Sequence, residues 1–239
     1  MYCSRGTVGV VKPTFRLGSL ETYIRLLPEG VCVAPRYVGV RAGTEAEFDE
    51  AIAVAETRVA ELVELGVDLV LIQGTPPILL KGYRFDGELT ERLTRQHGVP
   101  ILTATTVQVE AFRVLGVERF VILSYIQGAM NAKFANFFEQ AGFTVTGIPE
   151  LEGVAFEDVG DIPAEDIYDG AKKALLDHGG EGICLLGAGW DCLPVIESLE
   201  EELGVPVITN LNAEVWATRK RLGIDEPVEG FGRLLRTLP

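Results

Sequence analysis

The sequence predicts an α/β protein made of two pseudo-symmetric, doubly wound parallel-sheet lobes, with the active site in the cleft between them. Two observations support this prediction. Short apolar segments rich in β-branched residues alternate with amphipathic segments along the chain, as in βαβ units. A glycine loop also occurs twice, at Gly74-Thr75 and at Gly187-Ala188-Gly189, each time between a buried-strand pattern and a helix-like segment that leads to Gly-Val-Pro. We interpret this as a two-fold repeat of a strand-loop-helix-strand unit.

The predicted strands are continuous apolar runs rather than alternating ones, as is typical of parallel strands buried on both faces. They span residues 8–11, 31–34, 68–72, 101–104, 119–123, 145–148, 183–186 and 207–209. Amphipathic spacing, often followed by a stop glycine, predicts helices over 45–65, 86–96, 107–115, 129–141, 164–177, 192–203 and 213–222. The acidic, aperiodic segment 151–163 is expected to be a surface loop that could act as a flap. We expect residues 1–105 and 211–239 to form the first lobe and residues 106–210 the second.

The composition of the chain restricts the kinds of molecule that it is expected to bind. The chain has 239 residues, 47% hydrophobic residues and a formal net charge of −14, values that suit a soluble globular protein and disfavour nucleic acid and anionic membranes. A cleft can still oppose the global charge and bind a small anion. No apolar run reaches the length of a membrane span, and the first residues lack a signal-peptide core, so we expect a cytoplasmic protein whose oligomeric state stays open.

Cysteine and histidine usage excludes several common chemistries. Cys3, Cys32, Cys184 and Cys192 show no CxxC spacing, which argues against a zinc site and a disulfide framework. The two histidines, His97 and His178, each precede a glycine at a predicted helix end, where a histidine interacts well with the helix dipole. Neither is therefore expected to serve a serine-hydrolase triad or a metal.

Loops at the predicted strand ends supply the candidate binding groups. Beyond a buried strand, Gly74 permits a sharp turn and Thr75 offers a hydroxyl and an N–H, whereas Pro76 and Pro77 have no N–H to donate. In the first loop of the chain, Lys12-Pro13-Thr14, the lysine could add positive charge, although a solvated lysine is more common.

Two loops of the second half offer further groups. Tyr125 would present a phenol as hydrogen-bond donor or acid, with Asn131 about one turn into the following helix, although a packing tyrosine is an ordinary alternative. In Gly187-Ala188-Gly189 the small residues would let the backbone approach a ligand. Aromatic residues that could form apolar walls are Phe15, Tyr37, Phe48 and Trp190.

The segment after the second glycine loop raises two questions. Asp191 could cap the next helix, and Cys192 would then lie in its first turn, where the dipole lowers a thiol pKa, unless it is simply a buried small residue. The segment Gly187-Ala-Gly189-Trp-Asp-Cys192 also differs from the G-x-G-x-x-G pattern of dinucleotide-binding loops, because a cysteine stands at the third glycine. The acidic residue that such folds place about 20 positions later, at a strand end, has no good candidate here. A nucleotide cofactor is therefore not expected.

Together these loops resemble the aspartate/glutamate racemase superfamily, in particular the branch of arylmalonate decarboxylase and maleate cis-trans isomerase. The resemblance covers nearly the whole chain. Its motifs are Val8-Gly-Val-Val-Lys-Pro13, Gly74-Thr75, Ser124-Tyr125-Ile126 with Asn131, Leu203-Gly-Val-Pro-Val and Gly230-Phe-Gly-Arg-Leu234. It implies two lobes, no cofactor and no metal. It also implies that an enediolate would be held in a dioxyanion hole by residues matching Thr75, Pro76, Tyr125, Gly187 and Ala188.

The sequence departs from this family at its reactive positions. The resemblance implies a second-lobe cysteine where this chain has Gly187, and a first-lobe cysteine, in racemases, at Gly74-Thr75. Pro76 replaces a hydroxyl residue whose N–H also donates. Two-base racemisation is therefore not expected, and thiol chemistry would require Cys192 to reach the cleft.

Three functions stay open from the sequence. The first is a cofactor-free lyase of the decarboxylase type acting on a small mono- or dicarboxylate, with Tyr125, Cys192 or water as proton donor. The second is a maleate isomerase-like or other isomerase with rearranged acid/base groups. The third is a non-catalytic protein that keeps the carboxylate pocket.

Overall fold

The computed structural model describes residues 2–16, 18–187 and 189–237. Within these residues the chain forms eight strands and ten helices, together with a 3-10 helix, Phe156–Asp161. The strands are β1 (Gly6–Lys12), β2 (Val31–Tyr37), β3 (Leu69–Ile72), β4 (Ile101–Thr103), β5 (Arg119–Ser124), β6 (Thr144–Gly147), β7 (Gly182–Leu186) and β8 (Val207–Thr209). The helices are α1 (Gly18–Leu26), α2 (Glu45–Glu64), α3 (Pro76–Leu79), α4 (Tyr83–His97), α5 (Ala104–Val114), α6 (Met130–Gln140), α7 (Ala164–His178), α8 (Leu193–Leu203), α9 (Asn210–Arg221) and α10 (Arg233–Arg236).

The strands form two four-stranded sheets of the same topology, in the orders β2-β1-β3-β4 and β6-β5-β7-β8, and every pairing is parallel. The predicted fold class is thus confirmed. Strands β3 and β7 are completely buried, as their continuous apolar sequences indicate.

Helices α5 and α9, which follow the last strand of each sheet, occupy equivalent positions in the repeat and pack against each other. Both start in the same way, because Thr103 and Thr209 end their strands and accept a hydrogen bond from the backbone N–H three residues on. Helix α9 also packs against α1 and β3 of the first sheet. The assignment of residues 211–239 to the first lobe stays a prediction.

Several local features differ from the sequence prediction. Helices α1, α3 and α10 were not predicted, and the segment 151–163 is more than a surface loop because its 3-10 helix buries Val159 completely. The seven predicted helices form with ends shifted by a few residues, and His97 and His178 are the last residues of α4 and α7.

A disulfide joins Cys3 to Cys32, which contradicts the inference drawn from cysteine spacing. The parallel pairing of β1 with β2 aligns Thr7 with Cys32 and brings the residues preceding β1 to the start of β2, so the two Cα atoms lie 5.0 Å apart. In the part of the chain that the structure describes, none of the helices combines the length and apolar character needed to cross a bilayer.

Candidate active site

The carboxyl ends of strands from both sheets converge on one cleft, where Asn210 links the two lobes. Its amide nitrogen donates to the Thr75 hydroxyl over 3.1 Å, and its amide oxygen accepts the backbone N–H of Gly187 over 3.0 Å. The amide of Gln108 donates to the same oxygen over 3.3 Å. All three side chains are buried, so these bonds fix the two glycine loops relative to each other. Asn210 was not predicted from the sequence, although it follows Thr209 where the other repeat has Ala104.

Tyr125 lies directly against the second glycine loop. A Cβ atom built on Gly187 would lie 2.4 Å from the Tyr125 ring, and one built on Gly189 would lie 3.2 Å from its hydroxyl oxygen. Burial raises the pKa of the Tyr125 hydroxyl to about 12, while the charge of Arg16 and a hydrogen bond from the Gly189 backbone act in the opposite direction. At neutral pH this phenol is therefore protonated and able to donate a hydrogen bond.

An aromatic frame holds Tyr125 in place. The Trp190 ring meets it edge to face at 5.3 Å between centroids, and the indole N–H donates to the carbonyl oxygen of Gly187 over 3.0 Å. On another side lies Phe156, with its ring centroid 6.5 Å away. The 3-10 helix therefore forms part of the site's wall, which the acidic composition of residues 151–163 did not reveal.

Arg16 is a charged residue of the cleft that was not predicted from the sequence. Its guanidinium carbon lies 4.5 Å from the centre of the Phe156 ring, and one of its nitrogens donates to the Phe156 carbonyl. Its place two residues after Thr14, in a loop at a strand end, is the signal that could have pointed to it.

Two cavities open around these residues. The larger, of about 430 Å³, has a mixed polar and apolar surface and is lined by Arg16, Gly18, Ser19, Glu21, Thr22, Glu157, Gly160, Asp161, Gly189, Trp190, Asp191 and Leu211. The smaller, of about 30 Å³, is mostly apolar and is lined by Pro13, Thr14, Arg16, Val40, Phe48, Gly74, Pro76, Pro77, Tyr125 and Phe156. Arg16 lines both cavities.

Several predicted binding residues thus lie together at the smaller cavity, namely Pro13, Thr14, Gly74, Pro76 and Tyr125. Thr75 lies next to them and is fully buried. Ala188 lies outside the described residues.

Asn131 lies in the first turn of α6, and its role in substrate binding stays a prediction. Its amide donates to the carbonyl of Ile126 over 2.6 Å and to Glu150 over 2.7 Å, so it fixes the loop after β5. Of the suggested apolar walls, Phe48 and Trp190 line the cavities, whereas Phe15 stacks on Tyr37 and is largely exposed.

Cys192 is a buried thiol at the start of α8. Burial raises its pKa well above the usual value, with the charge of Asp191 and the neighbouring Cys184 acting in the same direction. The N-cap of α8 is Cys192 itself, without a side-chain capping bond, and Asp191 is exposed. The predicted Asp191 cap and the lowered thiol pKa are therefore both wrong.

The sequence model of arylmalonate decarboxylase matches residues 23–235 of this chain. The chain belongs to the arylmalonate decarboxylase and maleate isomerase family. Within this family it is 26% identical over 233 residues to the arylmalonate decarboxylase of Bordetella bronchiseptica, a match that covers 97% of both chains.

Solved structures of family members share the fold. The maleate cis-trans isomerase of Nocardia farcinica, solved with a covalently bound succinylcysteine intermediate, has a TM-score of 0.88 at 20% identity and covers 97% of this chain and 98% of its own. The maleate isomerase of Pseudomonas putida S16, solved with maleate, has a TM-score of 0.87 at 19% identity and 97% coverage of both chains.

Proposed function

We propose that this protein is a cofactor-independent lyase of the arylmalonate decarboxylase type, acting on a small carboxylate or dicarboxylate through an enediolate intermediate. The observation that supports this most directly is the placement of two buried hydroxyls, those of Thr75 and Tyr125, on glycine-bearing loops of opposite lobes around one cleft. Hydroxyl donors held in a dry site stabilise oxyanions best, because they need not reorganise when charge develops.

The reaction would proceed in two steps. The bond between the α-carbon and one carboxylate breaks, CO2 leaves, and the electron pair spreads from the α-carbon into the remaining carboxylate as an enediolate. A proton is then added to the α-carbon. The apolar side chains of Val40, Phe48 and Phe156 suit the first step, because a carboxylate placed among them loses its hydration.

Tyr125 is the proposed proton donor. Its hydroxyl is protonated across the neutral range, and an enediolate α-carbon is basic enough to take a proton from a phenol. Accepting a bond from Asn210 leaves the Thr75 hydroxyl free to donate its own proton to an oxyanion.

The geometry of the glycine loops disfavours a thiol in this cleft. A Cβ on Gly187 would lie 2.4 Å from Tyr125, and a Cβ on Gly74 would lie 2.5 Å from Pro13, so a cysteine at either position would require rearrangement. Among the described residues that line the two cavities, none is a cysteine. A covalent route like that of the Nocardia isomerase is therefore not the favoured chemistry here.

The test is CO2 release from a panel of substituted malonates by wild type, Tyr125→Phe and Cys192→Ala. We expect turnover by wild type, a loss of about 10²–10³-fold in kcat for Tyr125→Phe, and near-normal turnover for Cys192→Ala. Loss of turnover in Cys192→Ala with an unchanged melting temperature would contradict the proposal, as would full activity of Tyr125→Phe.

A carboxylate-binding protein without turnover is the second candidate, favoured by glycine at the centre of both loops. It predicts thermal stabilisation by malonates without CO2 release. Including maleate in the panel, with fumarate as the assayed product, tests the isomerase alternative in the same experiment.

A further inference from the structure

A buried, hydrogen-bonded group of three side chains lies at the ends of the first lobe's central strands. We call it the Lys12 network: Lys12 at the end of β1, Gln73 just beyond β3, and Glu214 in α9. Their exposed fractions are 2%, 4% and 1%. The Lys12 ammonium donates to the Gln73 amide oxygen over 3.2 Å, and the Gln73 amide nitrogen donates to Glu214 Oε2 over 2.7 Å.

The network reaches the larger cavity through Ser19. The Lys12 ammonium donates to the Ser19 hydroxyl over 2.8 Å, and Ser19 lines the cavity of about 430 Å³. The proton of this hydroxyl has only a long contact, 3.5 Å to the carbonyl oxygen of Arg16, so it can be donated instead to an anion in the cavity. Accepting a hydrogen bond from Lys12 polarises the hydroxyl for this donation. The lysine therefore acts at the cavity although it is not on its surface.

The fold does not require these charges, as the second lobe shows. Strand β1 ends in Lys12, and the equivalent strand of the second lobe, β5, ends in Ser124. The residue before the glycine loop is Gln73 in the first lobe and Leu186 in the second. Gln108 stands five residues after Thr103, as Glu214 stands five residues after Thr209. The same architecture is thus built without an ion at any of these positions. Because burying an ammonium and a carboxyl is unfavourable, their presence on one side indicates a function.

One of the two carboxyl oxygens of Glu214 makes no hydrogen bond with the described residues. This atom, Oε1, is buried. The charged or titratable groups acting on the network are Arg16, next to Lys12, and the phenol of Tyr23 in α1, next to Glu214. The cavity beyond Ser19 also carries acidic side chains, so an anion there needs the positive charges of Lys12 and Arg16 to offset Glu21, Glu157, Asp161 and Asp191. The other direct partners, Ser19 and Gln73, do not titrate.

We propose that Lys12, oriented by Gln73 and Glu214 and acting through Ser19, is the positioning residue that holds the anionic group of the substrate in the larger cavity. The inference rests on the proposed function only in naming a carboxylate as that group. It requires binding, whether or not the ligand then reacts.

The network would also make this binding depend on pH. Burial raises the pKa of Glu214 to about 8, opposed by the charge of Lys12 and the bond from Gln73, and burial lowers the pKa of Lys12. While Glu214 stays protonated, the lysine charge is uncompensated and the network carries one positive charge. Ionisation of Glu214 as the pH rises neutralises it, and loss of the Lys12 proton acts in the same direction, so the affinity for a carboxylate is expected to fall as the pH rises.

The experiment is equilibrium binding of phenylacetate, a carboxylate that cannot lose CO2 in this way and is ionised throughout, followed by Trp190 fluorescence or calorimetry from pH 6 to 9.5. We expect Lys12→Met to weaken binding about tenfold at pH 6. Glu214→Gln should bind as wild type does at pH 6 and lose the pH dependence. Lys81→Met, which removes a surface lysine paired with Asp49, is the matched control and should change nothing.

Lys12→Met alone could fail to fold, because it leaves the buried Glu214 carboxylate without a compensating charge. The double variant Lys12→Met/Glu214→Gln covers this case, because it removes the carboxylate together with the lysine. Wild-type affinity in a folded Lys12 variant overturns the proposal, as does an unchanged pH dependence in Glu214→Gln or the absence of any phenylacetate binding by wild type. Failure of the proposed function is recognised separately, because malonates would then release no CO2 while Lys12→Met still weakened phenylacetate binding.

Discussion

At Gly187 the backbone and the Tyr125 ring approach so closely that any side chain would displace one of them. Its φ of +110° adds a second constraint, since L-residues rarely adopt this conformation. Glycine at position 187 therefore leaves room for the Tyr125 ring that faces it. The family resemblance implies a cysteine at this position, and the side chain of a cysteine would overlap the space that the phenol needs.

Replacing Gly187 by alanine should therefore reduce both stability and activity. We expect the free energy of unfolding to fall by about 2–5 kcal/mol, from backbone strain and overpacking together, as measured by urea denaturation. Gly116→Ala is the control, because Gly116 also has a positive φ but no atom within 4 Å of an added Cβ, so it should lose only about 1–2 kcal/mol. Equal losses in the two variants would show that the contact with Tyr125 is not tight.

Among the elements, the 3-10 helix Phe156–Asp161 forms part of the wall of the cleft and also contacts Arg16, a charged residue of the cleft. Phe156 packs on Arg16 and lies near Tyr125, and the buried Val159 side chain leaves no room for a Cβ on Gly189. Two contacts hold the segment to the first lobe. The Arg16 guanidinium covers the Phe156 ring and bonds the Phe156 carbonyl, and the same ring packs edge to face against Phe48.

Arg16→Met should loosen this segment. The variant loses a cation–π contact and a charge-assisted hydrogen bond. We therefore expect the backbone amides of residues 156–161 to exchange roughly tenfold faster, as measured by hydrogen-exchange mass spectrometry. Arg25→Met, in the exposed face of α1, is the control and should leave exchange in this segment unchanged. If the two variants exchange alike, the segment is held by the apolar packing of Phe156 and Val159 rather than by Arg16.

The elements also show what a sequence can predict. All eight strands were predictable because each contains a short apolar run with at least one β-branched residue, bounded by glycine, proline or an amphipathic segment, which are local signals. Helix α1 was missed although Gly18 and Ser19 begin it, since it lacks a long apolar stripe. The burial of Lys12, the bridge made by Asn210 and the position of Arg16 depend on how two distant segments pack, and no local pattern records that packing.

For the whole molecule, the disulfide ties the start of the chain to the edge strand of the first sheet. It closes a loop across a sequence separation of 29 residues. By loop-closure entropy such a crosslink stabilises by up to roughly 3–4 kcal/mol.

A Cys3→Ser/Cys32→Ser variant should lose up to this amount of unfolding free energy in urea, and wild type under reductant should match it. The same reductant should leave the variant unaffected, since its remaining cysteines, Cys184 and Cys192, are buried and unpaired in the structure. Equal stability of oxidised wild type and variant would show that the crosslink does not constrain the unfolded chain.

The confinement of the Lys12 network to one lobe has a stereochemical consequence. In the proposed reaction a malonate would meet unlike surroundings on its two sides, and the ammonium, which lies on the side of one lobe only, would add to that difference. The two enantiotopic carboxylates of a prochiral malonate would then not be equivalent, because one would lie nearer the positive charge and the other nearer the apolar cavity. A duplicated scaffold would thereby distinguish the two identical groups of one molecule.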